Sequence, residues 1–141
     1  MIARGVYRSL WGALVVLAVV GCARVIELSE EARSAADHQL DLIDRAEYAR
    51  SWSEASVIFR DAVTQEDWSQ RAAAIRGPLG TLQQRHPRAA VGKTDPASSP
   101  KGEYIMVTYD TAFERNPEVV ETLVLYQDDD AQWRMAGYFV K

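Results

Sequence analysis

One cysteine in 141 residues excludes an intramolecular disulfide, so Cys22 is a buried thiol, an intermolecular partner or a modified residue. Histidine is nearly as scarce. His38 and His86 are the only two, neither lies in a paired HExxH-type motif, and both read as surface residues rather than zinc ligands or general bases. There is no Gly-x-Ser-x-Gly, P-loop, Gly-x-Gly-x-x-Gly or Cys-x-x-Cys, which leaves the usual covalent and nucleotide-dependent chemistries without support. Positive charge is short as well: 16 Lys and Arg stand against 20 Asp and Glu, for a net charge of −4. Removing residues 1–21 takes away Arg4 and Arg8 and moves the net charge to −6, so a nucleic-acid partner is not expected. No apolar run reaches the roughly twenty residues that a spanning helix needs. What remains is a composition of 48% hydrophobic and 26% charged residues, that of an ordinary globular chain of one domain's length.

The longest apolar run, Leu10–Val20, follows a basic stretch, Met1–Ser9, that contains Arg4 and Arg8 and no acid. That order is the n- and h-region of a signal peptide. The run ends in Val19-Val20-Gly21-Cys22, which resembles the lipobox of bacterial lipoproteins. The resemblance implies that the Cys22 thiol takes a diacylglyceryl group and that the chain is cut between Gly21 and Cys22. The new amino group is then open to acylation by palmitate or a similar chain. Gly21 offers no side chain to hinder either step. Several acyl chains, at about 0.8 kcal/mol per buried methylene, hold a folded domain on a membrane essentially permanently. Ala23 stands where an aspartate would signal inner-membrane retention. In a Gram-negative organism the resemblance therefore implies the outer membrane, with the domain facing the periplasm.

The chain then divides into a tether, residues 22–28, and a single domain, residues 29–141. Ser29 followed by Glu30 and Glu31 opens a helix, and Ala32, Ala36, Leu40 and Ile43 form its apolar stripe. A second helical register runs through Tyr48, Trp52, Ala55, Phe59 and Val63, with Ser51-x-x-Glu54 as a capping box; one bent helix and two shorter ones fit equally. Thr64-x-x-Asp67 caps a third stretch carrying Trp68, Ala72 and Ile75, which Gly77-Pro78 terminates. Gly92–Gly102 reads as a loop. Beyond it the period changes to two, giving strands over Glu103–Phe113, Val119–Tyr126 and Trp133–Val140, with a further candidate in Leu82–Arg88. Helices first and a meander afterwards is an α+β pattern, with helices packed on a curled antiparallel sheet of three to four strands.

Several short motifs fall in one order: Tyr48-x-x-x-Trp52, Trp68, Arg76-x-Pro78-Leu79-Gly80, Arg85, Gly102-Glu103-Tyr104, Tyr109-x-Thr111-x-Phe113, Glu121-Thr122 and Trp133-Arg134-x-x-Gly137-Tyr138. Together they resemble a bacterial family known as domain of unknown function 4019, over roughly Ala32 to Lys141. The resemblance implies a small exported α+β protein with a cystatin-like or NTF2-like cone, and it carries no activity, cofactor or site residues with it.

Asp37, Asp41 and Asp44 lie on one helical stripe and span about 10 Å of axis, too far for a single ion, so they read as a solvated face. Asp128-Asp129-Asp130 reads as a hairpin turn. The arginines between Arg76 and Arg88 could receive an anion, but pairing with the chain's surplus carboxylates at a helix end is the expected role. Tyr104, Tyr109, Phe113, Tyr126, Trp133 and Tyr138, with Trp52, Phe59 and Trp68, are expected to form the core. The alternative is a pocket inside the cone, lined by Tyr109 and Trp133 and oriented by Glu121 and Arg134; Glu121 shares its strand face with Leu123 and Leu125, and if that face is the interior it is expected to pair with Arg134 as a structural ion pair. Large apolar groups on both faces of the last strand imply that its outer face is covered by a second copy or a partner. The expectation is a lipid-anchored envelope module that binds a protein or small ligand, without catalytic residues, metal or cofactor. The alternatives are an enzyme using a buried carboxylate such as Asp110 or Glu121 as base, and a purely structural envelope component.

Overall fold

The computed structural model describes residues 24–141; the expected signal peptide, its expected cleavage point and Cys22 lie outside the described residues. The chain runs β1 (Arg24–Val25), α1 (Glu30–Asp44), α2 (Tyr48–Ser53), α3 (Val57–Ala62), α4 (Gln65–Arg76), a 3-10 turn (Gly77–Leu79), β2 (Leu82–Thr94), β3 (Glu103–Phe113), β4 (Val119–Gln127) and β5 (Trp133–Val140). The strands form one antiparallel sheet in the order β1-β2-β3-β4-β5. β1 is only two residues long, so four full strands carry the sheet. The helices cover its inner face in a cone-like α+β arrangement, as the helix-then-meander pattern predicts.

The caps account for where the helices begin. Ser29 Oγ accepts from the amide of Ala32, Ser56 Oγ from Phe59, and Thr64 Oγ1 from Asp67, each satisfying an amide that the first helical turn leaves free. The middle register is two helices, α2 and α3, separated where Ser56 caps the second. Ser51 is therefore not a cap: it is fully buried inside α2, and its hydroxyl accepts the indole N–H of Trp68 at 2.9 Å. That contact ties α2 to α4.

One strand runs well past its expected end. The Leu82–Arg88 strand continues to Thr94, because residues 89–94 pair with Glu103–Thr108 of β3, so the loop shrinks to the turn between Asp95 and Gly102. His86 consequently lies on a strand, opposite Asp110, and not in a loop. Gly102, at φ +142°, closes that turn, and a β-carbon there would stand 2.5 Å from the Tyr126 ring.

Register shifts at Leu82/Gln84, Pro87/Ala89 and Val124/Leu125 add local twist and curl the sheet around the helices. The last shift also changes the phase of β5. Before it Met135 points inward; after it Tyr138 is the inward residue, while Phe139 points out and is 58% exposed. Strict alternation through Trp133, Met135 and Phe139 fails because one residue is inserted without a partner. The inner face is otherwise as the period predicts: Ile105, Val107, Tyr109, Leu123, Leu125 and Met135 pack with Ala32, Ala36, Leu40, Ile43, Phe59, Trp68 and Ala72. Trp133 is only half-buried at the margin of this core, not a fully enclosed ring.

Candidate functional site

At the centre of the inner face Glu121 is completely buried. Arg85, from β2, donates to both carboxylate oxygens, from Nε at 2.7 Å and from Nη2 at 3.1 Å. Thr111 Oγ1 donates from β3 at 2.6 Å, and the Tyr138 hydroxyl from β5 at 2.5 Å. Four donors from three strands thus converge on one carboxylate. The other side of the Arg85 guanidinium binds Asp44, at the end of α1, in a two-pronged contact of 2.7 and 2.9 Å. Arg76, at the end of α4, places Nη1 2.8 Å from Asp44 and 3.9 Å from Glu121. Its Nε and Nη1 lack hydrogen-bond alignment, and the guanidinium stacks 4.5 Å over the Phe113 ring.

The result is a buried quartet, Asp44, Arg76, Arg85 and Glu121, with two positive and two negative groups. Its charges balance, which is the condition under which such groups persist in a core. Asp44 occupies the C-terminal end of α1, where the helix dipole disfavours a carboxylate; the two arginines reverse that penalty. Burial alone would lower the Arg85 pKa, but its hydrogen bonds to Asp44 and Glu121 outweigh burial and raise it well above the ordinary arginine value. Burial, reinforced by the Glu121 charge, pushes the Tyr138 hydroxyl far above the usual tyrosine range. Burial and the nearby Asp37 push Tyr109 up to about 12.

This arrangement corrects several expectations. Glu121 pairs with Arg85 and Arg76, not with Arg134. Arg134 bonds instead to Asp128 at 2.9 Å and to Asp130 at 2.7 Å, because the bulge and the hairpin turn place it on the outer face beside those aspartates. Its hydrogen bonds hold the exposed Asp130 carboxyl down at about 2. Asp128 also accepts from the Val57 amide, so the turn braces the start of α3. The grouping of Glu121, Tyr109, Trp133 and Arg134 into one pocket is therefore not formed: Tyr109 sits beside Glu121 in the register, while Trp133 is opposite Gln127 at the far end of β4. Asp44 is not part of a solvated stripe, although Asp37 and Asp41 are exposed. Asp110 is not a buried carboxylate; it is exposed and paired with Arg88.

Arg76 and Asp44 carried a signal that their charge concealed. Trp68, Ala72 and Arg76 are spaced at i+4, as are Ala36, Leu40 and Asp44, so each charge ends an apolar stripe and is drawn inward with it, Arg76 to full burial and Asp44 part of the way. Ile75, expected in that stripe, is 37% exposed.

The outer face is different in kind. Met106, Val124 and Gly137 form one cross-strand row, and the Phe139 ring lies against Gly137, where a β-carbon would approach it to 3.1 Å. A groove of about 780 Å³ runs from this row across β5 to Trp68 and Ile75 of α4, with Lys93 and Arg71 also along it. Among the described residues no group of three or more His, Cys, Asp or Glu could hold a metal ion. No helix among them is long and apolar enough to cross a membrane.

Fold and site together define a small α+β protein whose curled sheet encloses a neutralised ion-pair core and presents an apolar strip outward. The chain belongs to the family described as protein of unknown function (DUF4019), whose model matches residues 35–138. No curated protein matches the sequence.

The buried tyrosines set an alkaline limit. A raised folded-state pKa favours the protonated hydroxyl, so the associated stability is complete below about pH 10, the unfolded tyrosine value, and is lost as pH rises toward 12 through the Tyr109 transition. Tyrosinate absorbance followed with circular dichroism should show Tyr109 and Tyr138 ionising late and only as the fold is lost. Ionisation of every tyrosine near pH 10 in an intact fold would contradict their burial.

Proposed function

We propose that the chain is a lipid-anchored bacterial envelope protein that works by binding rather than by chemistry. The observation carrying this reading is the state of Glu121: four donors, two of them from Arg85, already engage it and the Arg76 guanidinium stands 3.9 Å away, so it is not free to act as a base. The surface left for recognition is the apolar strip of Met106, Val124 and Phe139, broader than an isolated exposed side chain. Anchoring rests on the lipobox-like Val19-Val20-Gly21-Cys22, whose cysteine is the only one in the chain.

Replacing Cys22 with serine should abolish membrane association and leave an uncut precursor, since serine lacks the thiol that accepts the lipid. Fractionation with intact-mass measurement checks this. Wild-type protein that is wholly in the soluble fraction, or that keeps residues 1–21, would end the anchoring proposal. A photoreactive residue at position 106 tests the binding surface in intact cells. Adducts of defined mass are expected, and their absence would leave the strip without a binding role.

A further inference from the structure

The free edge of β5 has a definite hydrogen-bonding pattern. Val120 and Lys141 exchange both amide bonds, at 2.8 and 3.0 Å, so they form a hydrogen-bonded antiparallel pair. Alternation along the ladder then makes Thr122 with Phe139 and Val124 with Gly137 hydrogen-bonded pairs. Tyr138 and Val140 fall between them, so their backbone N–H and C=O groups point away from β4. Among the described residues nothing bonds to these four groups. The neighbouring outward carbonyl, that of Met135, is already taken by the Ser56 amide at 2.9 Å.

The opposite edge of the sheet is guarded. Over Leu82–Arg88 it carries Arg85, Arg88, Pro87 and two register shifts, the devices that keep an edge from pairing. Gly137-Tyr138-Phe139-Val140 has neither charge nor proline. It presents an aromatic ring, 58% exposed, on the outer face and opens onto the apolar groove.

We infer that this edge pairs with β5 of a second copy of the chain, antiparallel about a two-fold axis through Phe139. One register uses all the free groups: Tyr138 opposite Val140 of the second copy and Val140 opposite its Tyr138, giving four intermolecular hydrogen bonds. Centring the axis on Tyr138 instead would set Val140 against Ala136, the residue that the register shift leaves without a β4 partner. The matching register places the two Phe139 side chains directly opposite in a non-hydrogen-bonded pair, with α-carbons about 4.5 Å apart, where aromatic pairs contribute most. It also sets Lys141 opposite Gly137, so the pairing stops short of Met135, where Ser56 occupies the edge. The outer rows of Met106, Val124 and Phe139 become continuous across the two copies. The inference deepens the binding reading by naming the occupant of β5, and rests on that reading.

Disulfide trapping in the full-length chain tests it. With Phe139→Cys, a mild oxidant should give a dimer of twice the mass, because the facing α-carbons fall within disulfide range. The wild-type chain, with Cys22 alone, reports any link through that residue, and Thr122→Cys, one strand in from the edge, should not link. Adding Val140→Pro to Phe139→Cys removes an edge donor without touching the β4 ladder. It should slow trapping by about tenfold or more, as two hydrogen bonds are lost per dimer, and far-UV circular dichroism confirms the fold. Trapping at position 139 no faster than at 122, or unaffected by the proline, would overturn the inference. So would a cross-link to a different protein, which would assign the edge to strand donation by another chain and leave the binding reading standing. Adducts at position 106 without trapping at 139 would also separate the two.

Discussion

Replacing Glu121 with leucine should destabilise the fold by about 3–5 kcal/mol, the usual cost of removing one partner from a buried ion pair. Leucine leaves two buried guanidinium groups facing Asp44 alone, and it strands the hydroxyls of Thr111 and Tyr138, both of which now donate to the carboxylate. Arg85→Met should cost a similar amount, since it leaves Glu121 without its two-pronged partner. Joined in one protein, the two changes should recover much of the loss, because paired charges replaced by apolar groups no longer need desolvated partners. Recovery will be incomplete, as Asp44 keeps only Arg76 and the two hydroxyls stay unmatched. Arg134→Ala should cost clearly less than either single change in the quartet, since its pair with Asp130 is exposed and the Asp128 carboxylate it leaves keeps the Val57 amide as a donor. Denaturant unfolding of the four variants measures the cycle. Equal losses at Arg134 and Arg85, or single changes at Glu121 that leave stability intact, would contradict the quartet.

The second large effect is expected at Trp68. Its ring is 4% exposed, packs edge-on against Phe59 at 5.3 Å and Tyr138 at 6.4 Å, and its N–H satisfies the buried Ser51 hydroxyl. Trp68→Ala should cost about 3–5 kcal/mol through lost burial and the cavity left behind. Trp68→Phe should recover most of the packing and retain a deficit of about 1 kcal/mol from the unmatched Ser51 oxygen. Trp133→Ala should cost distinctly less, because that ring is only half-buried. Thermal unfolding orders the three. A Trp133 loss equal to that of Trp68 would mean that the sheet margin is more tightly packed than the structure has it.

The caps at Ser29 and Thr64, the spans of β3 and β5 and the inner-face residues of β3 and β4 were legible in the sequence because each is written locally. A cap needs four consecutive residues, and a half-buried strand needs only a period of two. The β5 phase was not legible, since a bulge is defined by two strands and the extra residue looks ordinary in one. The ion quartet was half legible. Glu121 between apolar neighbours on its face pointed to burial, but Arg134 appeared to be its partner because both belong to adjacent strands. Arg85 was hidden because partner choice depends on how far β2 extends and which way its side chains face.

By itself the sequence determined the order of helices and strands, the α+β class, the likeness of residues 19–22 to a lipobox and the apolar neighbours that Glu121 has on its strand face. These follow from short-range periodicity, turn chemistry and residue type. Tertiary structure alone decided that Asp44, Arg76, Arg85 and Glu121, spread over 78 positions of chain, meet in one desolvated cluster. It also decided that Phe139 faces outward beside a strand edge that is unpaired among the described residues. A charge in a core is tolerated only where distant elements bring its counter-charges within about 3 Å, and an edge is free only where no other element happens to cover it.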